Sequence, residues 1–219
     1  MEDMKEIEVA RQVSEWAGFP LTPEKEDQLG AYADWLREEA IPAGGLGPRE
    51  GERVWARHIA DSLAFATAWR DKPPPSEVLD VGSGVGLPGI PLAILWPEAL
   101  ITTLDRGGRR IRLLRRATRI VGLVNVDVAQ GDVFSVADEW ESVVFRGAVK
   151  APEAVGLSAR LVEAGGTSVL GLSRRPEEPA DGTDLKNLAG ALGLDAEVVE
   201  IPAEVLDATA WLLIMRLGE

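Results

Sequence analysis

The sequence predicts an α/β fold: a doubly wound, mostly parallel sheet with a helical N-terminal cap and a C-terminal antiparallel hairpin. Three observations carry that prediction. From Glu77 onward, short apolar runs (E-V-L-D-V, A-L-I-T-T-L-D, V-N-V-D-V-A-Q, S-V-V-F and G-T-S-V-L-G-L) alternate with helical stretches. That is the pattern of parallel strands joined by crossover helices. The last two runs, A-E-V-V-E-I-P and W-L-L-I-M-R-L, have too short a connection for a crossover, so they pair antiparallel. A glycine-rich segment, D-V-G-S-G-V-G-L-P-G at residues 80–89, follows the first strand, where such sheets bind ligands.

The elements before the sheet are helical. Thr22 and Pro23 fit an N-cap and the first helical position. Leu29, Tyr32, Ala33 and Leu36 then recur at helical spacing. The segment I-P-A-G-G-L-G-P breaks that helix into a loop, and a further helix is expected from about Glu52 to Trp69. Asp71-Lys72-Pro73-Pro74-Pro75 reads as a stiff linker. It divides a cap, residues 1–72, from a sheet domain, residues 73–219.

Composition narrows the function. The 219 residues, 46% hydrophobic, suit one sizeable domain with a real core. No run of eighteen apolar residues spans a membrane, and the acidic start M-E-D-M-K-E-I-E is not a signal peptide. A cytoplasmic enzyme with no membrane partner is expected. The chain has no cysteine, hence no disulfide, no thiolate nucleophile and no cysteine-based metal site. With His58 the lone histidine, no metal site is expected at all. The net charge of −13 argues against indiscriminate nucleic-acid binding. It is uneven, however: residues 1–39 carry eleven acids against four bases, and residues 106–119 carry seven arginines and no acid.

A bare turn between strand and helix lets the main chain approach a ligand. Gly82, Gly84 and Gly86 are spaced G-x-G-x-G with Leu87 next, unlike the dinucleotide G-x-G-x-x-G, and no G-K-[ST] phosphate loop is present. Asp80, closing the strand, suits a ligand carrying an ammonium group. That combination favours S-adenosylmethionine. Asp105, closing the second strand, is placed to accept hydrogen bonds from ribose hydroxyls. Asp132, Val133 and Phe134 follow the third strand, with Val133 and Phe134 as apolar walls for an adenine ring.

Methyl transfer fits what is missing. No cysteine serves C5 methylation of pyrimidines, and F-R-G-A (Phe145–Ala148) stands where amino-methylating enzymes carry Asn/Asp-Pro-Pro-aromatic. A ring nitrogen with a free lone pair needs no general base.

The stretch L-D-V-G-S-G-V-G-L-P-G-I-P-L-A, with R-V-W-A-R-H-I-A-D-S-L before it, resembles the bacterial small-subunit ribosomal RNA guanine-N7 methyltransferases. This is the methyltransferase G, or glucose-inhibited division protein B, family. The resemblance covers about residues 25–150. It implies a Rossmann-like class I methyltransferase sheet, S-adenosylmethionine as donor, and a guanine N7 in 16S ribosomal RNA or the small ribosomal subunit as acceptor. It also implies that Gly82 and Leu87 line the methionine side, that Val133 and Phe134 border the adenine, and that Arg146 faces the reaction centre. Several positions depart from the family pattern: Gly45-Leu46-Gly47, Phe145-Arg146-Gly147, Phe134, and Ser173 with Arg174 beside it. A small-molecule methyltransferase and a non-catalytic cofactor-binding module on the same fold therefore stay open.

Two further groups are substrate-binding candidates. Arg57, His58 and Asp61 sit at i, i+1 and i+4 of the expected second cap helix, so Asp61 faces the other two. Arg112 and Arg116 lie on the polar side of the arginine-rich helix, opposite Ile111, Leu114 and Val121. They form either a phosphate-contacting strip or a solvated face paired with the acidic N-terminal helices.

Overall fold

The computed structural model describes residues 2–219, with side chains from residue 7 onward. Two helices open the chain, α1 (Glu2–Trp16) and α2 (Pro23–Trp35). Thr22 caps α2 by accepting from the Lys25 N–H, and Pro23 occupies its first turn. The chain then winds through a π-type turn, Leu36–Ala40, before the glycine-rich loop.

The second cap helix differs from a regular α-helix. Residues 51–69 are helical throughout, but the path runs from a 3-10 turn through a π-type stretch, Val54–Ile59. A four-residue α-helix, α3 (Ala60–Leu63), and a second 3-10 stretch, Ala64–Trp69, follow. The segment is apolar on most sides, so tertiary packing sets its path more than local propensity does.

The sheet comprises β1 (Glu77–Val81), β2 (Leu100–Asp105), β3 (Val126–Gln130), β4 (Trp140–Phe145), β5 (Val162–Arg174), β6 (Leu194–Ile201) and β7 (Ala210–Leu217), in the order β3-β2-β1-β4-β5-β7-β6. The first five strands run parallel. β7 inserts antiparallel between β5 and β6, as the short final connection requires. The crossovers are α4 (Gly89–Leu95), α5 (Gly108–Val121), α6 (Ala151–Leu161) and α7 (Gly182–Ala191), and a short α8 (Ala203–Leu206) lies within the last connection.

Helices cover both faces. Leu29, Leu36, Ile59 and Leu63 share one hydrophobic cluster with α4, α5 and the Val78, Val144 and Val169 face of the sheet. That cluster crosses residue 72, where the secondary structure changes from helical to strand-and-helix. All seven residues of α4 are buried, because the cap covers the side turned away from the sheet. Asn125 closes the α4 C-terminal region by donating to the carbonyls of Ala93 and Ala99, each at 3.0 Å. On the other face, α6 and α7 pack Val155, Leu161 and Leu185 against Leu79, Val143, Phe145 and Leu213. No helix among the described residues is long and apolar enough to cross a membrane.

Candidate functional site

The break between β1 and β4, whose crossovers lie on opposite faces, is the topological switch point of the sheet. Ligands bind there in such folds. A cavity of about 730 Å³ opens at that position. Its floor is Gly82–Val85 with Leu87; its walls include Asp105, the segment Gly131–Phe134 and the segment Arg146–Lys150.

The floor is main chain. Gly82, Gly84 and Gly86 all have positive φ, at +68°, +62° and +107°. A side chain at Gly82 would put its Cβ 2.5 Å from that of Ala148, so the turn closes only without one. The loop is held from behind on both sides. Asp105 accepts from the N–H of Gly84 at 3.1 Å and from that of Gly107 at 2.7 Å. The buried Tyr32 hydroxyl, reaching from α2, donates to the Val85 carbonyl at 3.0 Å.

Several sequence expectations meet the cavity: Gly82, Gly84, Leu87, Asp105, Asp132, Val133, Phe134 and Arg146 all line it. Phe134 is 59% exposed, a large apolar face left at the cavity edge. Asp80 and Gly86 are placed differently. Strand side chains alternate between faces, and Asp80 points under the loop toward α4, where its Oδ2 accepts the Gly89 N–H at 2.9 Å. It is fully buried and does not line the cavity. Asp80 is therefore corrected from a partner for an ammonium group to a brace beneath the loop. Burial lifts its pKa to about 7. Gly86 faces Ile90 rather than the cavity.

A second cavity, about 320 Å³, adjoins the first and shares Arg146 and Gly147 with it. Its lining includes Arg57, Asp61, Phe65, Arg174 and Trp211. Asp61 sits at the centre of three guanidiniums: Arg57 at 2.6 Å, Arg174 at 3.6 Å and Arg146 at 3.7 Å. Burial raises the Asp61 carboxyl pKa, and the three positive charges oppose that rise.

His58 does not face Asp61 as the helical spacing predicted. The π-type turn carries its Nε2 to the Glu50 carboxylate at 2.9 Å and leaves Nδ1 3.3 Å from Arg146 Nη2. Burial, then the Arg146 charge, lowers its pKa to about 4. A neutral His58 thus donates to Glu50 and accepts from Arg146. The same Arg146 nitrogen donates to the Arg57 carbonyl at 2.8 Å. Arg112 and Arg116 line neither cavity. Arg116 pairs with Glu39 at 3.0 Å, joining α5 to the cap.

Tyr32, Val85 and Arg174 were not among the sequence-derived site residues. Tyr32 carries the periodicity of a core position, and nothing local distinguishes it. Arg174 approaches Asp61 only through the pairing of β5 with the sheet. Among the described residues no cluster of three metal-ligating side chains occurs.

Comparisons with known proteins agree with this geometry. Residues 25–187 match the family model of rRNA small subunit methyltransferase G. The curated ribosomal RNA small subunit methyltransferase G of Acidothermus cellulolyticus is 36% identical over 135 residues, 62% of this chain and 60% of that protein. The Klebsiella pneumoniae protein of the same name is 31% identical over 204 residues, 91% of this chain and 93% of its own. Among solved structures, M. jannaschii TYW2 in complex with AdoMet superposes with a TM-score of 0.54 at 16% identity, covering 73% of this chain and 74% of that one. The sheet is that of the Rossmann-like class I methyltransferases.

Proposed function

Since the chain belongs to the rRNA small subunit methyltransferase G family, we propose that it methylates N7 of a guanine in 16S ribosomal RNA, with S-adenosylmethionine as donor. One observation carries the reading at the level of chemistry: two cavities meet at a shared wall, Arg146 and Gly147. A two-substrate transfer needs two sites so joined.

The larger cavity fits the donor. The glycine floor admits a close approach, since a Cβ at Gly84 would meet no atom nearer than 3.9 Å. Asp105 is placed behind Gly84 to take ribose hydroxyls, and Arg110, only 3.4 Å from the same carboxylate, is a weak competitor for it. Phe134 and Val133 offer apolar surface for an adenine. When bound, S-adenosylmethionine supplies an electrophilic sulfonium methyl.

The N7 lone pair forms the new N–C bond as the S–C bond breaks onto sulfur, and the purine gains a positive charge. No proton moves, so no general base is required. The chain's contribution is to hold the acceptor in line and exclude water, worth up to about 7–11 kcal/mol for well-oriented partners.

The test is methyl transfer from tritiated donor to small ribosomal subunits, naked 16S transcript and a small-molecule extract. Borohydride–aniline cleavage then reports N7-methylguanine in the RNA. Label at one guanine of the small-subunit RNA is expected. Label confined to the small-molecule fraction, or none anywhere, overturns the reading.

A further inference from the structure

Resting on that reading, we propose that the second cavity receives the acceptor purine and that Arg146 reads its 6-position, admitting an oxo group and refusing an amino group.

Position is the first argument. Arg146 stands on the wall between the two cavities. Its orientation is fixed by the Arg57 carbonyl, by Nδ1 of His58 and by the Asp61 carboxylate. All three contacts engage Nη2. Among the described residues, Nε and Nη1 of Arg146 have no protein acceptor, and neither is fully buried, unlike the unpartnered Nε of Arg174. They are donors waiting for a ligand.

Purine chemistry supplies the second argument. N7 and the 6-substituent lie on one edge, so a purine that offers N7 to the donor cavity brings its 6-position to the shared wall. Guanine presents an oxygen acceptor there, and adenine an N–H donor. A guanidinium only donates. Guanine therefore gains a charge-assisted hydrogen bond, while adenine sets donor against donor.

The rest of the cavity suits a single base. About 320 Å³ is at the small end of ligand pockets and too small for a stacked helix. The acceptor nucleotide must enter out of its stack. Phe65, Trp211 and Leu172 give apolar surface for its faces. Asp61 also has a role after transfer. Its carboxylate offsets the guanidiniums, so the cationic product is not held against uncompensated positive charge. His58 is then a positioning residue, acting through Arg146.

The test uses the full chain and small-subunit RNA in which the guanine that the wild type methylates is kept or replaced by 2,6-diaminopurine. That base differs from guanine at the 6-position. Wild type is expected to favour guanine by about ten- to a hundredfold in kcat/KM. Arg146→Met is expected to bring that ratio close to one, a comparison made within one variant and so independent of any change in its donor affinity. An unchanged ratio in Arg146→Met overturns the proposal. Should that variant fail to fold, Ser173→Phe adds bulk at a half-buried lining position. It is expected to keep S-adenosylhomocysteine affinity and lose transfer at least about tenfold, and wild-type transfer by it overturns the proposal. Absence of N7-methylguanine with the wild type would instead remove the parent reading.

Discussion

The two cavities that meet at Arg146 are built from different materials. The larger one has a main-chain floor on the left-handed Gly82 and Gly84, braced by Asp80 below and by Asp105 and Tyr32 behind. The smaller one is made of charged and aromatic side chains drawn from four distant segments. A backbone floor can be written into ten consecutive residues and tolerates change around it. A side-chain cluster holds only while every segment keeps its place, and losing one charge strands the others.

Experiments can break or sharpen that contrast. The largest effect is expected from Asp61→Ala, which leaves three partly or wholly buried guanidiniums without their common counterion. A loss of about 3–5 kcal/mol in urea-unfolding free energy is expected, and a loss near zero would mean that water already screens the cluster. On the backbone side, Asp105→Ala removes the acceptor shared by Gly84 and Gly107. A loss of about 1.5–3 kcal/mol in S-adenosylhomocysteine binding is expected by calorimetry. Arg57→Met should leave that affinity unchanged, since Arg57 lines only the smaller cavity. Gly82→Val forces a side chain into a left-handed turn, costing about 1–2 kcal/mol before its clash with Ala148. Both stability and donor-side affinity should fall, and wild-type binding would refute the backbone floor.

The two sites also titrate in opposite senses. Folding raises the pKa of Asp80 to about 7 from an ordinary value of about 4. The folded state thus binds the extra proton in that window, and Asp80's contribution to stability falls as pH rises through it. Folding lowers the pKa of His58 to about 4 from an ordinary value of about 6.5. There the unfolded state binds the extra proton, and stability climbs with pH. Across roughly pH 4 to 6.5 the two slopes oppose each other. Asp80→Asn should therefore steepen the rise of stability with pH, and His58→Gln should turn the profile toward a fall. Identical profiles for both variants and wild type would sink this balance.

The smallest effect lies on α5. The Arg116–Glu39 pair is solvent-exposed, so Arg116→Ala should cost at most about 0.5 kcal/mol. If the helix meets RNA through Arg112, which has no acid partner among the described residues, an Arg112→Ala/Arg116→Ala double variant should lower the slope of log affinity against log salt by about one. Equal slopes would leave α5 a solvated face tied to the cap.

The same contrast explains what was legible in the sequence. The strand runs, the terminal hairpin, the glycine floor and Asp105 are local patterns, and each maps to its place in the sheet. Asp80 was adjacent to the floor in sequence, yet alternation along β1 turned it beneath the loop. His58 was misdirected because helical spacing assumes α geometry, while Val54–Ile59 winds more widely and sends the ring to Glu50. Tyr32 shows only core periodicity and Arg174 only a departure from the family pattern. Their roles exist only once β5 pairs with the sheet and α2 packs on the loop.

The hydrogen bond from Tyr32 to the Val85 carbonyl has a consequence for anyone seeking a minimal catalytic module. The helix that bears the hydroxyl belongs to the amino-terminal third, so trimming that third would unlatch the turn that floors the larger cavity. Conversely, a saturating nucleoside at about 100 times its Kd would add about 2.7 kcal/mol to the folded state. Part of that protection would appear at the amides of α2, whose Tyr32 holds the cavity floor from behind.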